Sequence, residues 1–275
     1  MTAIDDVYAM PHLAAILVSG MDADRFLQSQ LSSNVAALEA GAVQLSSWCA
    51  ANGRVIGLGW LFRTSAGFCW IVAADTAEAL VIGLNKYKLR AKVIISLSET
   101  AVFGSEGNLR ATISNAVVAP IHSVQLADGR QVGCGVVTRC AGAPEEFLAR
   151  WLQRDIELQI PWNGGGEHFL PQMLGLERFA GLSLKKGCFP GQEVISRLHY
   201  KGVLKRSLRV LQFAEPIAPG RFLSSDASDE IAIIQAQGLS ALAVVNNNLS
   251  RNFSIQIKGQ DETVQRINVE SVYPP

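Results

Sequence analysis

The sequence has no C-x-x-C pair, only four histidines, and an odd number of cysteines, at positions 49, 69, 134, 140 and 188. Without paired ligand spacing a structural zinc site has no basis, and no metal is expected. Scattered thiols in odd number also argue against a disulfide framework. Most read as small core residues, Cys49 and Cys69 lying in apolar, strand-like runs. Net charge is zero, so nothing global points to nucleic acid or to an anionic membrane. Long apolar spans are absent as well. The longest uncharged run, residues 231–250, carries glutamine, asparagine, glycine and serine, which excludes it as a good membrane span. The opening stretch MTAIDDVYAMPHLAAILVSG puts acids first and has no basic start. It reads as neither signal nor transit peptide, and a cytosolic location is expected.

What is present is a 275-residue chain that is 49% apolar, enough to bury a sizeable core in one large or two unequal domains. HLAAILVSG reads as a buried strand. MDADRFLQSQL follows as a helix capped by Asp22, with Phe26, Leu27 and Leu31 inward. AVQLSSWCA and RVIGLGWLFR flank Asn52-Gly53, a strong hairpin signal, and GFCWIVAA adds a third strand. DTAEALVIGLNKYKLRAK has helical spacing, with Asp75 and Glu78 placed like a capping box, and VIISLSE reads as a strand after it. A second hairpin turns at Asp128-Gly129, and PEEFLARWLQRD reads as a helix opened by Pro144. PWNGGGEHFLPQM is a turn-rich loop. After Gly202 the texture changes to short β-like runs, RSLRVLQF, EIAIIQA, ALAVVN, FSIQIK and TVQRINV, which predict a small barrel-like domain. The expected division is therefore 1–201, an α+β region of two subdomains, and 202–275, a β-barrel.

Just before that change lies LKKGCFPGQEVISR, residues 184–197. Gly187 and Gly191 remove side chains on either side of Cys188, so a ligand or another stretch of chain can come close. Pro190 biases Phe189 towards an extended backbone. Lys185, Lys186 and the amides of a helix starting near Gly191 would all favour the thiolate, making Cys188 an exposed, partly ionised thiol. The alternative is a buried, inert cysteine in a tight turn. A cysteine protease fits poorly, because the only nearby base, His199, falls about three turns along the following helix. Seven lysines or arginines against one acid between Lys185 and Arg209 make a local basic stripe, either a solvated face or an anion site.

The stretch FLPQMLGLERFAGLSLKKGCFPGQEVISRLHYKGVLKRSL resembles the YgfZ-type folate-binding proteins, relatives of the glycine-cleavage T-protein. Their signature Lys-Gly-Cys-Tyr/Phe-x-Gly-Gln-Glu is matched from Lys186 to Glu193. The N-terminal VSGMDADRFLQSQL…NGRVIG is similar to the same superfamily, so the likeness spans nearly the whole chain. It implies an α+β, aminomethyltransferase-like fold with three subdomains in a ring around a central channel, plus the C-terminal barrel. It implies tetrahydrofolate or a derivative as ligand, and a role in assembly or repair of iron–sulfur clusters, with iron–sulfur enzymes or assembly factors as partners and neither membrane nor nucleic acid. Cys188 would be the working residue. Lys186 would help ionise it or pair with a folate carboxylate. Phe189 would pack the loop or stack on the pterin. Gln192 and Glu193 would bond to the loop backbone or to pterin nitrogens, or cap the helix that follows. Arg197 and Lys201 would meet the glutamate tail. Trp151 corresponds to a folate-side tryptophan or else to a core residue of its helix, and a first-strand tryptophan of the family is replaced by Leu13. The resemblance also carries a departure. The T-protein has acids just after its glycine turn, where this chain reads Gly53, Arg54, Val55, Ile56, Gly57, Leu58. Without that carboxylate, proton management at a folate nitrogen has no obvious agent, and aminomethyl transfer is not expected. An RNA-binding or scaffold role using the basic stripe is the third reading.

Overall fold

A computed structural model describes residues 7–106, 122–135, 141–162, 169–224, 229–250, 252–258 and 264–272. Contacts divide the chain into two units. The first holds the described residues up to Pro144 together with Leu176–Val194. The second holds Glu145–Trp162, Phe169–Gly175 and the described residues from Ile195 onward.

In the first unit the elements run β1 (Tyr8–Ala9), β2 (Leu13–Ser19), α1 (Ala23–Gln30), β3 (Val43–Cys49), β4 (Val55–Thr64), β5 (Gly67–Ala73), α2 (Ala74–Tyr87), β6 (Ile94–Leu97), β7 (Val102–Ser105), β8 (His122–Gln125), β9 (Gln131–Cys134) and β10 (Ala141–Gly142). They build two five-stranded sheets, ordered β3-β4-β5-β2-β6 and β10-β1-β7-β9-β8. The first sheet is mostly apolar because helices cover it. α1 buries Ala23, Phe26 and Leu27, and α2 buries Ala77, Leu80 and Leu84, positions three and four apart on one face. These meet Ile16, Val18, Trp48, Leu61 and Trp70 in one core. Each fully buried large apolar side chain there contributes roughly 1.5–3 kcal/mol.

Both expected hairpins form. β3 pairs with β4 across the Asn52-Gly53 turn, and β8 with β9 across Asp128-Gly129. Gly53 and Gly129 take φ of 80° and 92°, the left-handed region that explains glycine in each turn. The two expected caps do not form. Asp22 stands before α1, but its carboxylate accepts the Lys92 backbone N–H at 2.7 Å, so its side chain ties down a remote segment. In α2 the helix begins one residue early, at Ala74. Asp75 therefore lies inside the first turn and no side chain caps the end.

The second unit contains α3 (Glu145–Glu157), most of α4 (Gln192–Lys201) and six strands: β11 (Arg206–Phe213), β12 (Gly220–Ser224), β13 (Glu230–Gln237), β14 (Ser240–Asn246), β15 (Asn252–Lys258) and β16 (Val264–Val272). The strands close into a barrel in the order β11-β14-β13-β12-β15-β16, as the texture after Gly202 predicts. β12 is the barrel strand that the sequence reading did not find, as β1, β7 and β10 are in the first unit. Leu211, Phe213, Ile231, Ile233, Ala241, Ala243, Val245 and Ile255 fill the barrel. α3 packs against β13 and β14. No helix among the described residues is long and apolar enough to cross a membrane.

Candidate functional site

Loop 184–191 belongs to the first unit, and its side chains divide sharply by exposure. Cys188 is exposed, which removes the reading of a buried, inert cysteine, while Phe189 beside it is buried. Lys186 points inward. Its Nζ donates to the carbonyls of Leu31 at 2.6 Å and Ser33 at 2.8 Å, and lies 5.1 Å from the centre of the Phe189 ring. Burial pulls this amine from its ordinary value of 10.5 down to about 8. The ammonium thus anchors the loop from below. Its hydrogen bonds go to main-chain carbonyls and none goes to the Cys188 thiol, so the expected role of ionising that thiol has no bonded contact behind it.

On the other side of Cys188 the chain turns into α4. The Gln192 side-chain oxygen accepts the Phe189 N–H at 3.3 Å, and the Gln192 N–H donates to the Phe189 carbonyl at 3.2 Å. Of the alternatives open for Gln192, the structure shows bonding to the loop backbone, an end-capping arrangement. Glu193 is exposed in the first turn of α4, where its charge complements the helix dipole. Gly191 has φ of 77°, and a Cβ there would stand 2.4 Å from the Ala50 carbonyl oxygen and 2.5 Å from the Gly53 Cα. The close approach expected at this glycine is therefore made by the protein itself: the cysteine loop rests on the Asn52-Gly53 turn. Gly187 has nothing within 4 Å of its would-be Cβ. The two glycines have different reasons to exist.

The seat beneath the loop is a buried set of hydroxyls that the sequence reading missed. Ser32 and Ser33 follow α1, and Ser46 and Ser47 lie on β3; all four are fully buried. Ser32 Oγ donates to the Gly181 carbonyl at 2.6 Å and lies 2.7 Å from Ser47 Oγ. Ser33 Oγ lies 2.7 Å from Ser46 Oγ and accepts from Gln44 Nε2 at 2.8 Å. The Ser183 N–H donates to the Ser32 carbonyl at 2.9 Å. Segment 31–33 therefore grips 181–186 through main chain, hydroxyl and ammonium together. The signal was two Ser-Ser pairs inside apolar runs, where polar groups must find partners once buried.

Arg197, Lys201 and Trp151 lie in the second unit. Arg197 and Lys201 are exposed on α4. Trp151 is buried in α3, its ring 5.8 Å from that of Phe147, which fits the core reading of its helix. Leu13 is a buried residue of β2. The residues of the basic stripe are not uniformly exposed. Lys186 is turned in, Arg206 reaches Glu230 at 3.2 Å, and Arg209 is buried, donating to the carbonyls of Asn247 and Leu249. Lys185, Arg197, Lys201 and Lys205 remain exposed.

A reduced folate asks for a flat apolar face, polar partners along the pterin edge and cations for its glutamate tail. Phe189 is covered, the Gln192 oxygen is engaged, and Lys186 already serves two carbonyls. The loop's own side chains do not build a pterin pocket. What the loop offers is one soft, exposed sulfur on a rigid mount. No group of three or more metal-binding side chains exists among the described residues.

No protein-family model matches the chain. Among solved structures, the glycine cleavage system aminomethyltransferase T from Bartonella henselae is similar, with a TM-score of 0.75 and 16% sequence identity, over 99% of this chain and 86% of that one. Two units of mixed helix and strand, one holding a closed six-stranded barrel, thus have the fold of an aminomethyltransferase of this kind over almost the whole chain.

Proposed function

We propose that this chain is a cytosolic, tetrahydrofolate-binding accessory protein that supports assembly or repair of iron–sulfur clusters, with Cys188 as its working residue. The observation that carries the proposal is the mounting of that thiol. Lys186, Phe189, Gln192 and Gly191 all face the protein, while the cysteine between them is presented to solvent. A thiolate is a soft ligand and a nucleophile, suited to a transient bond with iron, a cluster or a sulfur or one-carbon adduct. One sulfur does not hold a cluster alone, so the cargo would be shared with ligands of an iron–sulfur enzyme or assembly factor. Folate enters through the fold alone, since the Lys186 and Gln192 side chains of the Lys186–Glu193 loop are engaged within the protein. The arrangement of three subdomains around a folate channel is part of the same proposal.

The test is complementation. In a strain lacking its own homologue, wild-type protein should restore the activity of iron–sulfur enzymes and Cys188→Ala should not. Full rescue by the variant ends the proposal. Titration with tetrahydrofolate, followed by tryptophan fluorescence, tests the ligand separately.

A second reading, a folate-dependent aminomethyltransferase, is favoured by the fold. Against it stands the stretch Gly53–Leu58, which holds no carboxylate and whose first residue, Gly53, packs against Gly191. Turnover of an aminomethylated carrier protein with tetrahydrofolate would establish that reading in place of the first. Binding of RNA without binding of folate would instead support a scaffold role for the exposed cations.

A further inference from the structure

Four described cysteines are free, and they are not equivalent. Cys49 is buried on β3 beside Ser47, and burial pushes its thiol up to about 12, which leaves it inert. Cys69 and Cys134 are also buried, but they face each other. Their Sγ atoms lie 3.7 Å apart, with Cys69 on β5 of one sheet and Cys134 at the end of β9 in the other. A disulfide needs about 2.05 Å between sulfurs, so the gap to close is about 1.7 Å, within reach of modest side-chain rotation.

We infer that Cys69 and Cys134 form a dithiol oxidation site, converted by a hydroperoxide into a reversible disulfide that ties the two sheets of the first unit together. Each thiol has the partner that the chemistry requires. The two thiols hydrogen-bond to each other, with either sulfur able to donate; this contact and Ser98 favour the Cys134 thiolate against the opposing effect of burial, while the same contact and burial hold Cys69 well above the usual thiol range. The Cys134 sulfur attacks one peroxide oxygen. An S–O bond forms, the O–O bond breaks, and the departing oxygen leaves as water or an alcohol after taking up a proton. The Cys69 sulfur then attacks the resulting sulfenic acid. The S–S bond forms, the S–O bond breaks, and the hydroxide leaves as water with the Cys69 proton. Two thiols lose two electrons in all, and the hydroperoxide gains them. Hydrogen peroxide is close to water in size, so local opening suffices for entry. This site is separate from the Cys188 loop and stands whether or not the proposed function does.

The experiment uses the full-length chain carrying Cys188→Ser, which removes the exposed thiol as a source of cross-linking. Reduced protein is treated with hydrogen peroxide, unfolded in denaturant after the peroxide is removed, alkylated, and digested without reductant for mass spectrometry. A Cys69–Cys134 linked peptide, lighter by two hydrogens, should accumulate and vanish on reduction. Cys49 should stay alkylatable, and the oxidised protein should melt at a higher temperature, because the bridge spans 65 residues of chain. Cys69→Ser and Cys134→Ser should each abolish the link. The inference is overturned if both thiols remain alkylatable at doses that fully oxidise Cys188 in the wild type. It is equally overturned if Cys134 goes to sulfinic acid without linkage, or if the bridge runs to Cys140.

Discussion

The Lys186 ammonium stands 5.1 Å from the centre of the Phe189 ring, and Cys188, between them in the chain, is left exposed. The two flanking side chains hold each other on the protein side. A contact of this type is worth roughly 0.5–2 kcal/mol, less than the two carbonyl bonds made by the same ammonium. The thiol is displayed because its neighbours are committed elsewhere.

Removing the ammonium tests that commitment. Lys186→Met should lower stability by about 1–3 kcal/mol at neutral pH, through loss of the bonds to Leu31 and Ser33. The pH dependence has a defined sign. Burial sets the folded value at about 8 against an ordinary 10.5. Below about 8 both states keep the proton. Between 8 and 10.5 the unfolded chain holds it and the folded chain does not, so this group makes stability rise with pH across that window. Urea unfolding at several pH values should show the wild type gaining on Lys186→Met from pH 8 upward.

The two glycines beside Cys188 should respond in opposite ways. Gly191→Ala places a Cβ 2.4 Å from the Ala50 carbonyl at a φ of 77°, and should cost about 3 kcal/mol or more. Gly187→Ala meets nothing within 4 Å and should stay within about 0.5 kcal/mol of wild type. Thermal melting of the two variants decides the matter.

Ser32→Ala removes the hydroxyl that donates to the Gly181 carbonyl and leaves the Ser47 hydroxyl only its weak contact with the Cys49 sulfur, and should cost about 1–3 kcal/mol. Because Ser32 seats the loop, alkylation of Cys188 should also become faster or less uniform in this variant, which rapid-quench labelling would show.

Cys188→Ala, by contrast, removes an exposed side chain and should change stability by no more than about 0.5 kcal/mol. Denaturant unfolding should match the wild type even though complementation fails. A large loss of stability would mean that the thiol is a packing residue.

Much of the fold was legible because it depends on local pattern. Asn52-Gly53 and Asp128-Gly129 mark turns that only a left-handed residue closes, and the spacing of Phe26, Leu27, Leu80 and Leu84 marks buried helix faces. What escaped depends on remote partners. Asp22 has the chemistry of a cap, but the Lys92 amide, far along the chain, takes its carboxylate. β12 opens on Gly220 after the proline-containing stretch 214–219, which reads as loop, and is recruited by pairing with β13 and β15. At the site, the cysteine motif was visible as a motif. The inward turn of Lys186 was not, because its acceptors at 31 and 33 lie some 150 residues earlier. Lysines near a cysteine suggest help for a thiolate until the acceptors are seen.

Segment 31–33 does one more thing besides seating the loop. β3 is an outermost strand of its sheet, and the Leu31–Trp48 bridge and the Ser32 N–H to Ser47 carbonyl bond occupy main-chain groups along its open side. Unguarded strand borders invite another chain to pair with them. The grip of 181–186 on 31–33 therefore also protects against self-association. Damage to the cysteine loop would first show as aggregation at high concentration, before any loss of secondary structure.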